Sequence, residues 1–289
     1  MMSIEEFNQK YPKHTVILPM GKEFSYRYYR NPDAKSTVLL LSGGIGLSDL
    51  FYLHFDRFAK YFSVLTFDYQ IQFKNNMEFA LAVSQLLQNL DEKVWLVGQS
   101  LGGIVSQIIA SYYPECVEGM ILSNTCSLAK DMGEDAYQFL LNMIEGQKKA
   151  KKLLSFIPFA LYKWLIKWAV LKKKTDGFTQ QEKMQMKNLC NVMMKLLDKS
   201  YEYHMIDFLV DAQNHFGMTE NDFRKFDDRV LLILSEDDHT FNQACKDSLV
   251  NIMTNPTLIT NLHGGHLALM VQLDEYARKV SEYILKREK

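Results

Sequence analysis

The sequence predicts an α/β protein with a mostly parallel, eight-stranded sheet, helices on both of its faces and an inserted all-helical cap. Short apolar runs alternate with segments of helical periodicity along most of the chain, as in buried parallel strands joined by helices. One long stretch, residues 127–222, is rich in helix-forming residues and has no clear strand. A chain of 289 residues accommodates one large domain with such an insertion.

The predicted strands follow in chain order. Residues 14–19 and 24–29 open the sheet, and the second run alternates aromatic and polar residues as an edge hairpin does. Six apolar runs then read as buried strands at residues 37–41, 64–67, 94–97, 120–122, 230–234 and 257–259. Helical segments lie between most of them, for example residues 77–90. The core domain is therefore expected in residues 1–126 and 223–289, and the cap in residues 127–222, after the sixth strand.

The stretch Gly98-Gln99-Ser100-Leu101-Gly102 follows the apolar run 94–97 directly and precedes apolar residues at helical spacing. This is the G-x-S-x-G pattern of a nucleophile elbow, in which a strand turns abruptly into a helix. Backbone passes close on both sides of the serine, so only glycine fits two positions before and after it. Ser100 is therefore predicted to lie in strained backbone at a helix N-terminus, where developing negative charge is favoured.

With this motif, the chain resembles the α/β-hydrolase fold family, in particular serine esterases and lipases with a helical cap. The family's chain order is nucleophile, acid, histidine. The sequence offers Ser100, then Asp237 and Asp238 after run 230–234, then His263 and His266 after run 257–259. By resemblance, Asp238 and His266 are the preferred acid and base, with Asp237 and His263 as the alternatives.

The family also implies an oxyanion hole. One donor would be the backbone N–H of Leu101, and the other would come from the loop Ser42-Gly43-Gly44-Ile45-Gly46 after the third strand. By position Gly44 is preferred and Ile45 is the fallback. Ser42 stands where the family usually has histidine, and residues 68–71 lack the family's Asp-x-Arg-Gly pattern.

These residues favour a serine hydrolase of the carboxylesterase type that acts on esters with an apolar acyl or alcohol part, with no metal or organic cofactor. Thioester hydrolysis uses the same machinery. A proline-iminopeptidase-like activity is the alternative suggested by the glycine loop, and it needs cap carboxylates, for which Glu202, Asp207 and Asp211 are candidates. A non-catalytic ligand-binding member of the fold is the remaining hypothesis.

The composition of the chain indicates which classes of partner and which compartment to expect. A formal charge of −1 argues against nucleic acid, and acids at residues 5 and 6 in place of a secretory signal favour a cytoplasmic protein. Four widely spaced cysteines are expected to be buried residues.

Residues 148–174 hold nine lysines and no acid around an apolar run. We expect that run to pack on the core with Lys163, Lys167 and Lys174 outside, and we favour this over contact with a membrane. The sequence does not indicate an oligomeric state.

Overall fold

The computed structural model describes residues 2–173 and 178–288. The described part of the chain forms one eight-stranded sheet with the strand order β1-β2-β4-β3-β5-β6-β7-β8. The strands are β1 (Lys13–Ile17), β2 (Glu23–Tyr29), β3 (Thr37–Leu41), β4 (Ser63–Thr66), β5 (Val94–Gln99), β6 (Val117–Ser123), β7 (Val230–Ile233) and β8 (Thr257–Ile259). Only the β1–β2 and β2–β4 pairings are antiparallel among them. The predicted fold class is confirmed, and each predicted strand overlaps an observed one.

Helices connect the strands and flank the sheet. Within the described residues they are α1 (Ile4–Lys10), α2 (Tyr52–Phe58), α3 (Asn76–Leu90), α4 (Leu101–Tyr112), α5 (Glu134–Phe156), α6 (Phe159–Lys173), α7 (Gln180–Leu196), α8 (Lys199–Asp211), α9 (Glu220–Phe223), α10 (Gln243–Ile252), α11 (Ala268–Val271) and α12 (Leu273–Arg287). Sequence reasoning did not single out α1 or the C-terminal α12.

The sheet separates two apolar clusters because successive side chains of a strand point to opposite faces. In β3, for example, Leu39 and Leu41 join the cluster formed with α3 and α4, whereas Val38 and Leu40 join that formed with α1, α2 and α12. Both faces are thus covered, as a parallel sheet requires. The four cysteines are free and buried.

The chain between β6 and β7 is mainly helical, with α5 to α9 in sequence. Three residues of α8, Tyr201, Met205 and Phe208, join the main core cluster, so this helix packs directly on the sheet's own helices and loops. The domain boundaries at residues 127 and 222 stay a prediction.

The orientation of α6 corrects one expectation. Lys163 donates to the carbonyls of Met194 and Leu197 at the end of α7, and Lys167 donates to Asn191. The carbonyls in the last turn of a helix lack intrahelical partners and carry partial negative charge, so they attract an ammonium group. The lysine side of α6 therefore faces α7, and the opposite side, which includes Trp164, faces solvent. Lys174 lies outside the described residues.

None of the helices in residues 2–173 and 178–288 has the length and apolar character that crossing a membrane requires.

Candidate active site

The turn between β5 and α4 holds Ser100 in a strained conformation, with φ 54° and ψ −118°. A Cβ at Gly98 would lie 2.3 Å from the carbonyl oxygen of Gly102, and one at Gly102 would lie 2.0 Å from that of Leu41. Such distances exclude any side chain, which explains why glycine flanks the serine at both positions. The strain is of the kind that folds retain at functional sites.

Ser100, His266 and Asp238 form a continuous hydrogen-bonded chain. The distance from Ser100 Oγ to His266 Nε2 is 3.0 Å, and that from His266 Nδ1 to Asp238 Oδ2 is also 3.0 Å. With a proton on Nδ1, the imidazole donates to the carboxylate and accepts from the hydroxyl. This is the arrangement in which a histidine can take the serine's proton.

The environment keeps the acid ionised. The Asp238 side chain has no exposed surface, and the His266 side chain is 12 % exposed. Burial opposes ionisation of Asp238, but hydrogen bonds from His266 and from the Thr240 backbone N–H hold its pKa below the ordinary value. A charged Asp238 stabilises the imidazolium that forms when His266 accepts a proton.

The two alternatives, Asp237 and His263, have other partners. Asp237 is exposed and accepts a hydrogen bond from the Gly264 backbone N–H at 2.8 Å, so it fastens the loop that carries His266. His263 is exposed and bonds Glu182 of α7 at 2.9 Å, which joins this loop to the cap. The structure thus brings Asp238 and His266, rather than their neighbours, to Ser100.

Two residues that sequence reasoning missed hold the acid and histidine loops in place. Asn124, just after β6, bonds the Ser235 backbone N–H and the Gly265 carbonyl. Lys246 of α10 is 8 % exposed and donates to the carbonyls of Ser235 and Asp238, both at 2.9 Å. A buried ammonium bound to both ends of the acid turn fixes the direction of the Asp238 side chain.

The glycine loop after β3 lies between Ser100 and the cap. A Cβ at Gly43 would reach to 3.3 Å from Ser100 Cβ, whereas one at Gly44 would reach Leu209 of α8 at 3.9 Å. Leu101 is the first residue of α4, so its N–H has no acceptor within the helix. The N–H groups of Leu101 and Gly44 therefore belong to the two backbone segments that border the serine.

Two tyrosines fix this glycine loop. The Tyr69 hydroxyl donates to the Ser42 carbonyl at 2.7 Å, and the Tyr201 hydroxyl donates to the Gly46 carbonyl at 2.6 Å. The backbone N–H of Tyr69 also donates to Gly46. Occupied carbonyls hold the loop in one conformation, which is what a preorganised oxyanion hole needs.

Apolar side chains pack against the glycine loop and against His266. Met205 and Leu209 of α8 lie against Gly46 and Gly44, and the Phe241 ring centroid is 5.7 Å from that of His266. Phe241 and Met205 are both buried. The immediate surroundings of the site are thus largely apolar on the cap side.

The three cap carboxylates considered for binding an amine have different partners. Asp207 is an exposed partner of Lys151. Burial opposes ionisation of Asp211, but bonds from His215 and Asn76 hold its pKa well below the usual range, and it anchors the start of α3. Glu202 is buried, accepts a hydrogen bond from Tyr162, and has its pKa raised by burial.

Comparisons with known proteins agree with the fold described above. A family model described as the alpha/beta hydrolase fold matches residues 74–150, which include the serine turn. The chain has the α/β-hydrolase fold. It is 21 % identical over 265 residues to a putative carbamate hydrolase, RutD, of Serratia proteamaculans, an alignment that covers 86 % of this chain and 91 % of that protein.

Solved α/β-hydrolase structures superpose over nearly the whole chain. MGS-M2, an alpha/beta hydrolase enzyme from a Medee basin deep-sea metagenome library, gives a TM-score of 0.71 at 15 % identity and covers 94 % of this chain and 97 % of its own. MenH of S. aureus gives 0.70 at 18 % identity, covering 91 % and 99 %. A thermophilic esterase from Thermogutta terrifontis gives 0.72 at 13 % identity, covering 95 % and 98 %.

The two departures from the α/β-hydrolase pattern meet in the structure. Ser42, which stands in the histidine's place, is buried, and its backbone carbonyl is the acceptor for Tyr69. Asp68 accepts from the backbone N–H and the hydroxyl of Ser48. Tyr69 thus holds the glycine loop, and Asp68 holds the turn that follows it, by contacts that no local motif in the sequence indicates.

Proposed function

We propose that the protein is a serine hydrolase that cleaves carboxylic esters with an apolar acyl or alcohol part through an acyl-enzyme intermediate. The observation that carries this proposal is the chain of two 3.0 Å hydrogen bonds from Ser100 through His266 to the buried Asp238. Each group is a type that nucleophilic acyl transfer needs in that position.

In the first half of the reaction, Ser100 Oγ attacks the ester carbonyl carbon and its proton passes to His266 Nε2. Asp238 stabilises the imidazolium through Nδ1, while the N–H groups of Leu101 and Gly44 bind the oxyanion. The C–O bond to the alcohol then breaks, and His266 returns the proton to the leaving oxygen. The products are the free alcohol and an acyl ester of Ser100.

In the second half, a water molecule gives a proton to His266 Nε2 as its oxygen attacks the acyl carbonyl. Collapse of that intermediate breaks the bond to Ser100 Oγ, which recovers the proton from His266. The carboxylic acid leaves, and the enzyme returns to its starting state. No step needs a metal ion or an organic cofactor.

The preference for an apolar substrate rests on the side chains around the loop. Met205 and Leu209 pack against the glycine loop and Phe241 packs against His266, and the partly exposed Leu209 supplies apolar surface beside the loop. Such surface binds an alkyl or aryl group better than a charged one. Attack by a serine hydroxyl can also cleave the acyl C–O bond of an aryl carbamate, so the name of the Serratia relative suggests aryl carbamates as additional trial substrates.

The test is the initial rate on p-nitrophenyl esters of increasing acyl length, with one aryl carbamate and one amino-acid arylamide. Ester turnover by the wild type should fall at least about 10⁴-fold in Ser100→Ala. Ser111→Ala is the matched control, because Ser111 lies at the opposite end of α4 from Ser100 and its hydroxyl donates to Asp222, which does not contact the triad.

Other outcomes would redirect the proposal. Cleavage of the arylamide without cleavage of any ester would favour an aminopeptidase. Ligand binding without turnover, unchanged in Ser100→Ala, would favour a non-catalytic member of the fold. Ester turnover that survives in Ser100→Ala would contradict the serine mechanism.

A further inference from the structure

The outer side of the cap carries an apolar stripe. Leu161, Trp164, Leu165 and Trp168 of α6 recur at i, i+3, i+4 and i+7, so they share one face of the helix. Trp164 is 59 % exposed, and the other three are between 38 % and 45 % exposed. Single exposed apolar residues are common on protein surfaces, but a full helical stripe with two tryptophans marks an interaction site.

The stripe is fixed in this orientation by the other side of the helix. Lys163 and Lys167 are held by acceptors on α7, and the Tyr162 hydroxyl bonds Glu202 of α8. Rotating α6 to bury its tryptophans would break these bonds and leave the carboxylate of Glu202 buried with fewer partners. The apolar face is therefore presented to solvent by the packing of the cap.

The end of α5 adds both apolar and basic groups. Lys149, Lys152, Leu153 and Phe156 follow the same i, i+3, i+4, i+7 spacing, and all four are exposed. Phe156 is 77 % exposed and lies three residues before α6 begins. We define residues 149, 152, 153, 156, 161, 164, 165 and 168 as the cap stripe.

The charge around the cap stripe selects its partner. Lys148 and Lys151, next to the stripe on α5, are paired with Glu145 and Asp207. No described acid is paired with Lys149 or Lys152, and the sequence from 148 to 174 contains no acid. Exposed tryptophan and phenylalanine flanked by lysines match an anionic lipid surface, where aromatic rings enter the interface and ammonium groups meet phosphate.

A second copy of the chain fits less well. A two-fold interface sets the same surface on both sides, so the lysines of one stripe would face those of the other. Like charges at such a distance repel and weaken the association.

We propose that the cap stripe is a docking surface for an anionic phospholipid bilayer, with the protein lying on the bilayer through α5 and α6. This inference rests on the surface alone and does not depend on ester hydrolysis.

The test is binding to vesicles of phosphatidylcholine with 30 mol % phosphatidylserine, compared with vesicles of phosphatidylcholine alone, by cosedimentation at low and high salt. We expect the wild type to bind the anionic vesicles at least tenfold more strongly, and salt to weaken binding. Brominated lipid should quench the emission of Trp164 and Trp168, whereas Trp95 is buried in the core.

Two pairs of variants separate the stripe from the rest of the surface. The double change Phe156→Ser and Trp164→Ser should weaken binding at least tenfold. The matched control changes two equally exposed apolar residues elsewhere, Ile17→Ser and Ile71→Ser, and should bind as the wild type does. Neutralising Lys149 and Lys152 to Gln should weaken binding about thirtyfold.

The charge control is Lys35→Gln with Lys286→Gln, two exposed lysines outside the cap, which should change binding little. Equal binding to both lipid compositions, no binding at all, or loss of binding in the controls as large as in the stripe variants would overturn the proposal. The proposal would also be overturned if the wild type bound no vesicles but formed a dimer in lipid-free sedimentation, and Trp164→Ser abolished that dimer. Because every readout is binding, failure of the esterase assay leaves this result intact.

Discussion

A buried histidine behind the site makes the stability of the protein depend on pH. His54 of α2 is 2 % exposed, and its Nε2 lies 3.0 Å from the carbonyl oxygen of Leu269, three residues after His266. With a proton on Nε2 the imidazole donates this bond while neutral. The pKa of His54 is lowered from 6.5 to about 4, mainly by burial and also by the charge of Arg57, although the hydrogen bond to the Leu269 carbonyl favours the protonated form.

The direction and size of this pH dependence follow from the difference in proton binding between the folded and the unfolded chain. Between pH 6.5 and about 4 the unfolded chain binds a proton at this histidine and the folded chain does not, so stability falls as the pH falls. A difference of that size corresponds to up to about 3 kcal/mol in the free energy of unfolding, at about 1.36 kcal/mol for each pH unit.

The variant His54→Gln keeps an amide donor for the Leu269 carbonyl and removes the titrating imidazole. At pH 7.5 we expect the variant to be less stable by about 1–2 kcal/mol through imperfect packing. Its stability should then fall less steeply toward pH 4, so that the gap closes or reverses. Urea unfolding at a series of pH values measures both curves, with the exposed His14→Gln as control. Curves of equal steepness for the wild type and His54→Gln would show that His54 does not cause the pH dependence.

Three further predictions follow from the contacts of the site. Lys246→Met should lower kcat on p-nitrophenyl esters about tenfold with little change in KM, because the turn that directs Asp238 loses its buried ammonium, and Lys246→Arg should restore part of the rate. Gly43→Ala should lower kcat/KM far more than Gly44→Ala, since a Cβ at residue 43 would lie 2.4 Å from the elbow's glutamine side chain and one at residue 44 meets only a leucine at 3.9 Å. Asp211→Asn should destabilise the protein by about 1–2 kcal/mol at pH 7 by urea unfolding. That difference should shrink below about pH 4, because the pKa of Asp211 is lower in the folded state and its stabilisation is lost as the acid becomes protonated.

The sheet was predictable because its strands are short and uniformly apolar. In β3 every residue is buried, so the run 37–41 carries its own signal, as do the runs that became β5 and β7. The serine turn was predictable for a related reason. Its two glycines are required because a side chain at either position would clash with the turn itself or with the adjacent strand. The requirement for glycine therefore shows as a five-residue motif in the sequence.

From the sequence, only the family pattern favoured Asp238 over Asp237 as the acid. The two carboxylates point to different partners, one to the Gly264 N–H and one to His266, and that difference depends on the turn that Lys246 and Asn124 hold. These two residues come from α10 and the end of β6, far from the motif in the chain. No local pattern marks a contact whose partner arrives from another part of the fold.

The orientation of α6 shows a further limit of sequence patterns. Helical periodicity indicates which residues share a face, but it does not say which face is turned inward. Here the backbone carbonyls at the end of α7, which lack intrahelical partners, accept hydrogen bonds from Lys163. The lysine side of α6 is therefore turned inward and its apolar side is left exposed. Predicting that result would require knowing where α7 ends relative to α6.

Covalent labelling by a fluorophosphonate, read by intact mass and peptide mapping, tests most directly whether Ser100 is the nucleophile of a working triad. We expect one label per chain, located on Ser100, in the folded wild type, and none in Ser100→Ala or in urea-unfolded wild type. We also expect much slower labelling of His266→Ala at equal probe concentration, because the serine then has no base. Labelling at another residue, or no labelling of the folded wild type, would contradict this role of Ser100.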